Sequence, residues 1–172
     1  LRVMIENGIK GFKNPEDYDA MSEIMWCGSL SHNDLTGLGR EKDFCVHKFG
    51  HALGAKYDLA HGATLSAMWG SWAEYVYRYD VDRFCHYGQK VWGIQGKDAV
   101  ETAREAIRKT VDYFRSLEMP VNLKELEIGT LSDDTLMELA MNATKGGTVK
   151  LSKIKELDVN DVYQIFQSAN GR

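Results

Sequence analysis

The chain has 172 residues, 44% hydrophobic and 27% charged, and its 21 basic and 25 acidic side chains give a net charge of −4. That length suits one domain with a sizeable core, and the acidic balance argues against a surface for nucleic acid or an anionic membrane. Cys27, Cys45 and Cys85 form no CxxC pair and no disulfide framework, which suits a reducing, cytoplasmic compartment, and no apolar run reaches the length of a membrane span.

In chain order, almost every segment carries helical rather than alternating periodicity. Leu1 to Glu6 reads as the middle of a helix, with no N-cap and no initiator methionine, so the chain is expected to be a piece of a longer polypeptide. Gly11 and Asn14 are expected to close that helix. Asn14-Pro15-Glu16-Asp17 then reads as a cap residue, a proline in the first turn and acids on the positive end of the dipole. The helix it opens is predicted to run through Ala20, Ile24, Met25 and Leu30 to about Leu35. His32 sits late in it, either facing a cavity or on a solvated helix end.

Residues 43 to 57 form the next predicted helix. Gly50 and Gly54 would leave a smooth strip on it for another backbone or a ligand, at a cost in helix propensity. Residues 62 to 79 make a helix with Trp69 and Trp72 as core aromatics. Another restarts at Asp80 to Asp82 and ends at Gly93, carrying His86 as a surface or half-buried histidine. Residues 97 to 117 show the clearest amphipathic stripe: Val100, Ala103, Ile107, Val111 and Phe114. A short turn over 122 to 126, a helix capped at Ser132 to Asp134 and stopped before Gly146-Gly147, and a last helix from Asn160 or Asp161 complete the chain. No convincing strand occurs, so the fold class is all-α, a multi-helix bundle.

Three of the five histidines, His47, His51 and His61, fall within fifteen residues. His47 and His51 are four apart and rise from one helix face. Imidazole is a common ligand for divalent transition metals, so two adjoining helices could build most of a metal site; the same residues could also cap or line a buried helix. Lys48 stands where the metalloprotease motif has its glutamate. Lys145-Gly146-Gly147-Thr148 has a faint phosphate-loop flavour but reads as a helix stop and turn. Asp58 is near in sequence, yet spacing does not place it. Cys45, turned away from the histidine face, reads as core.

The pattern His47-x3-His51-x-Leu53-Gly54-Ala55-x-Tyr57-Asp58-x-Ala60-His61-Gly62-Ala63 closely resembles the signature of the iron-containing (group III) alcohol dehydrogenases. The flanks are similar to its butanol dehydrogenase branch, in Asn14 to Ala20, Glu23 to Trp26, Ser31 to Leu35, Tyr75 to Tyr77, Asp82 to Phe84, Phe114 to Pro120 and Ala143 to Gly147. One departure is Met68-Trp69-Gly70, where relatives often have a proline, and it is expected to alter only a local turn.

The resemblance implies that residues 1–172 are the C-terminal helical, dehydroquinate synthase-like domain of a longer enzyme whose Rossmann-like domain binds NAD(P)H. It implies a divalent ion, iron or zinc, held by one aspartate and three histidines, with His47 and His61 matching the two later histidine ligands. His51 matches the histidine beside nicotinamide and substrate that helps proton transfer. The aspartate and first histidine belong to a DxxxH helix upstream of Leu1. The implied reaction interconverts primary alcohols and aldehydes, with the ion stabilising the alkoxide while hydride leaves for the nicotinamide. The chain alone is then expected to bind metal weakly and turn over nothing. A small alcohol or aldehyde substrate and self-association through an uncovered interdomain face are further expectations. Two other readings remain: a stand-alone helical interaction domain, and a complete small metal-dependent hydrolase using His32, His47 and His61.

Overall fold

The structure is a computed structural model and describes residues 1–172 apart from Arg40, Lys97 and Arg172. Among the described residues the chain forms eight α-helices and no strand: α1 (Arg2–Lys13), α2 (Tyr18–His32), α3 (Cys45–Tyr57), α4 (His61–Val76), α5 (Val81–Val91), α6 (Ala99–Ser116), α7 (Asp133–Ala143) and α8 (Val159–Gly171). An isolated antiparallel bridge joins Leu151 to Leu157. The all-α expectation is met, and no helix among the described residues is long and apolar enough to cross a membrane.

Consecutive helices pack in pairs, α1 with α2, α3 with α4, α5 with α6 and α7 with α8. Helix α4 is the hub, packing also on α6 and α8, while α3 reaches α7. The core lies between them: Phe49 and Leu53 from α3, Met68 and Val76 from α4, Ile107 from α6, Leu136 and Leu139 from α7, and Ile165 and Phe166 from α8. Phe49 and Phe166 meet ring edge to face at 5.5 Å. Trp69 and Trp72 are half-buried rather than central. They run as an aromatic ladder along α4, with Trp69 against Phe114 of α6 and Trp72 against Phe84 of α5. The α1–α2 pair adds nothing to that core cluster and is a separate flank.

Several boundaries differ from expectation, each for a local reason. Asn14 ends α1 rather than starting α2; its side chain accepts from the Glu16 N–H, leaving Pro15 in the turn. The cap of α2 is Asp17, whose carboxylate accepts from the Ala20 N–H at 3.0 Å. Gly11 does not stop α1. It lies inside the helix, where Met21 and Ile24 of α2 come in against it. Helix α2 stops at His32 instead of Leu35, because Asn33 turns back to the Leu35 N–H and Asp34 takes a left-handed conformation. Residues 77 to 79 leave α4 as a 3₁₀ turn, and Asp80 caps α5. Asp98 caps α6 through the Glu101 N–H; the expected first residue of that helix, Lys97, lies outside the described residues. Met68 to Gly70 sit in the middle of α4 with Met68 fully buried, so the departure there alters no turn.

The segment after α7 is tied down by polar contacts. The turn at Lys145-Gly146-Gly147 has three consecutive left-handed residues. Its amides are committed within the turn: Lys145 N–H to Asn142, Gly146 N–H to Met141, Gly147 N–H to the Thr144 hydroxyl and Thr148 N–H to Lys145. A phosphate loop needs those amides free, so this is a helix stop. Further on, Asp161 accepts from the Tyr75 hydroxyl and from Lys155 Nζ, each at 2.5 Å. Lys155 also lies 5.4 Å from the ring centres of both Tyr75 and Tyr79. Burial alone would raise the Asp161 carboxyl, but the Lys155, Tyr75 and Asp158 N–H hydrogen bonds outweigh it and hold the group below the usual carboxylate range.

Helices α3 and α4 come close together at Gly50. A methyl group there would stand 2.7 Å from the Thr64 hydroxyl and 2.9 Å from a Leu65 methyl, whereas at Gly54 it would meet only the Leu59 carbonyl at 3.7 Å. Of the two glycines singled out in the sequence, only Gly50 makes room for the neighbouring helix. Gly50→Ala is therefore expected to destabilise the chain by about 1–3 kcal/mol in chemical denaturation, and Gly54→Ala to be neutral or stabilising by up to roughly 1 kcal/mol. Equal effects at the two positions would contradict this packing account.

Candidate functional site

Helix α3 presents His47 and His51 on successive turns, and α4 begins at His61. Only Asp58, Leu59 and Ala60 separate the two helices. Asp58 ends α3 in a left-handed conformation, its N–H bonded to the Gly54 carbonyl at 2.9 Å. Thr64 fixes the start of α4, since its buried hydroxyl donates to the His61 carbonyl at 2.8 Å and faces Gly50. These contacts bring the three imidazoles together. Ring centres lie 5.4 Å apart for His47 and His61, 5.3 Å for His51 and His61, and 6.3 Å for His47 and His51.

The rings are not equivalent. His51 and His61 stack nearly parallel, at 29°, while His47 and His61 are tilted at 54°. Two imidazoles whose nitrogens both sit about 2.0–2.1 Å from one tetrahedral ion have ring centres roughly 5 Å apart, and the His47–His61 and His51–His61 separations both lie near that distance. His47 is half-buried, and His51 and His61 are exposed. His51 borders an open groove of about 420 Å³ between α3 and α7, crossed by the 2.7 Å Lys56–Glu138 ion pair.

Other candidates fall outside this arrangement. Among the described residues no group of three or more histidine, cysteine, aspartate or glutamate side chains is placed to hold a metal ion. Asp58 is an exposed helix cap, so it supplies no third ligand. His32 is exposed at the end of α2, and the set His32, His47 and His61 lacks the geometry of a complete site. His86 is exposed on α5. Cys45 is a core thiol, pushed up well beyond its ordinary pKa by burial and by the Asp43 charge.

Two residues that sequence reasoning did not single out support the site. The Asp43 carboxylate accepts from the Cys45 N–H at 2.8 Å, and its other oxygen from the Ser152 hydroxyl at 2.7 Å and the Lys153 N–H at 2.8 Å. It thereby pins the first turn of α3 to the segment around the Leu151–Leu157 bridge. An aspartate two residues before a helix is a readable cap signal; partners more than a hundred residues away are not readable. The second is Phe44, whose ring meets His47 edge-on at 5.2 Å.

The site favours neutral His47. Burial lowers its pKa below the ordinary imidazole value, and the charges of His61, His51, His32 and Lys48 lower it further. The folded chain thus resists protonation there. The group leaves stability untouched above pH ~6.5 and subtracts from it as pH falls below that value. In a histidine NMR titration the His47 midpoint is expected below ~6.5, and His47→Gln should flatten the acid loss of stability in that window. A midpoint at or above the free-imidazole value would contradict the assignment.

Comparison with known proteins places this geometry. The model of the Fe-containing alcohol dehydrogenase family, C-terminal, matches residues 1–170. The chain is 36% identical over 171 residues to NADH-dependent butanol dehydrogenase A of Clostridium acetobutylicum, covering 98% of this chain and 43% of that protein. It is 28% identical over 175 residues to the NADPH-dependent aldehyde reductase YqhD of Escherichia coli, again covering 98% and 43%. Among solved structures, an NADH-dependent butanol dehydrogenase A from Thermotoga maritima superposes with a TM-score of 0.88 at 25% identity, over 98% of this chain and 43% of that one. The cofactor-free aldehyde reductase YqhD from Escherichia coli gives 0.89 at 26% identity, with the same coverage. The chain spans less than half the length of the relatives it matches. From end to end of that match, the chain belongs to the Fe-containing alcohol dehydrogenase family and corresponds to its C-terminal helical domain.

Proposed function

We propose that this chain is the metal-binding catalytic domain of an NAD(P)-linked oxidoreductase that interconverts primary alcohols of butanol size and their aldehydes. The observation that carries the reading is the convergence of His47, His51 and His61 within 5.3–6.3 Å of one another, ring centre to ring centre. Relatives named as butanol dehydrogenases and an aldehyde reductase support the reaction class.

His47 and His61 would hold a divalent ion, iron or zinc, as two ligands of a set completed outside this chain. Polarisation of the alcohol or carbonyl oxygen is the chemistry such an ion supplies when bound. His47 serves by staying neutral, its ring centre 5.2 Å from that of Phe44 and 5.4 Å from that of His61. His51, one turn along α3, faces the same space and is open to solvent, so a hydroxyl proton taken by its ring can pass outward. A bound nicotinamide would supply the hydride acceptor or donor that balances the proton handled by His51, so that alcohol and aldehyde differ by that proton and one hydride. His51 would also be the residue of this chain that borders the nicotinamide, the rest of NAD(P)H being bound outside this chain. Self-association belongs to the same reading and is supported by apolar residues that α2 leaves open, Met25 at 70% and Trp26 at 61% exposure. Sedimentation equilibrium giving monomer alone would remove that part.

The direct test is zinc or iron(II) titration of the purified chain, followed by calorimetry. Weak binding is expected, reduced more than roughly tenfold in His47→Ala and in His61→Ala, about 1.4 kcal/mol or more, and unchanged in His32→Ala. The chain alone should oxidise no butanol with NAD or NADP. Tight stoichiometric binding, or binding that survives His61→Ala, would sink the assignment.

A further inference from the structure

Phe44 is the residue beside the histidine cluster that the fold holds in place without using in its core. Its ring meets His47 edge-on, with centres 5.2 Å apart and planes at 75°. The residue is nevertheless 52% exposed and lies outside the core cluster. Both neighbours are committed. Asp43 is bonded to Ser152 and Lys153, and Cys45 is buried in the core. The backbone at Phe44 is therefore fixed from both sides, and the ring lies against His47 while about half of the residue stays open to solvent. A phenyl ring left half in water forgoes part of the apolar burial that aromatic side chains usually gain. Its outer face is carbon only, so it offers no hydrogen bond to a polar group and favours hydrocarbon.

Its position decides what that hydrocarbon is. A substrate oxygen drawn to the His47–His61 pair places the adjoining carbons within reach of the residue packed on His47. We propose that Phe44 forms the wall against which the alkyl chain of the alcohol or aldehyde lies, making it a specificity-determining residue that favours chains longer than ethanol. This rests on the reading of His47 and His61 as metal ligands in an alcohol-oxidising enzyme.

The test uses the native enzyme that contains this chain, assayed on straight primary alcohols from ethanol to hexanol with NAD or NADP. In Phe44→Ala the KM for butanol and hexanol should rise roughly tenfold and that for ethanol by less than about twofold, with metal content unchanged. Phe44→Leu should recover most of the loss, and Phe44→Trp, which keeps a ring but enlarges it, should shift preference toward shorter chains. A flat profile, or an equal change at every chain length, overturns the proposal. So does loss of metal in these variants, because Phe44 would then act only through His47. A wild-type enzyme that oxidises no alcohol overturns the underlying reading before any variant is made, which separates the two failures.

Discussion

The rest of the site depends on the contact between Gly50 and Thr64. A helix that begins with one histidine must lie against a helix carrying two others, near enough for imidazoles about half a nanometre apart to point into one space. Any side chain at position 50 would stand in the way of the Thr64 hydroxyl and Leu65. The same Thr64 hydroxyl is spent on the His61 carbonyl, so the residue that meets the glycine also fixes the first turn of α4. Helix propensity is given up at one position in α3 to set the distance between two helices.

Around that contact, polar anchors hold what the hydrophobic core alone would leave loose. Asp43 ties the start of α3 to residues 152 and 153, and Asp161 gathers Tyr75 and Lys155, joining α4, the segment after α7 and α8. Both carboxylates act between segments distant in the chain, and both surround the histidine pair of helices rather than the α1–α2 flank. The electrostatics agree with this arrangement. Burial first, and then the neighbouring His61, His51, His32 and Lys48, discourage positive charge on His47, which keeps its nitrogen lone pair available.

Much of this was readable from the sequence because it is local. The helical period placed every α-helix, and the spacing of His47, His51 and His61 identified one helix face and the start of the next. Ser132 and Asp80 are caps that act on residues three positions away, so their chemistry was visible in place. What was missed depends on partners that spacing does not reveal. Gly11 looked like a helix stop and is a packing glycine, because nothing nearby in sequence shows that Met21 and Ile24 will lie on it. Asn14-Pro15 looked like the opening of α2, but Asp17 outcompeted Asn14 for the role of cap. Phe44 carries no signal of its own in the sequence; only the folded neighbourhood shows it open to solvent and against His47.

The three-residue link between α3 and α4 has a consequence for how this chain can vary. Asp58 turns in a left-handed conformation and α4 starts at His61, so the interval from His51 to His61 works as a ruler rather than a spacer. One inserted residue taken up into the first turn of α4 would shift its register by about 1.5 Å and roughly 100°, carrying His61 off the shared point and Thr64 off Gly50 together. Length variation in this family member is thus confined to connections that do not set the mutual phase of α3 and α4. A chain with every histidine present but one residue more between them would keep the composition of the site and lose the site itself.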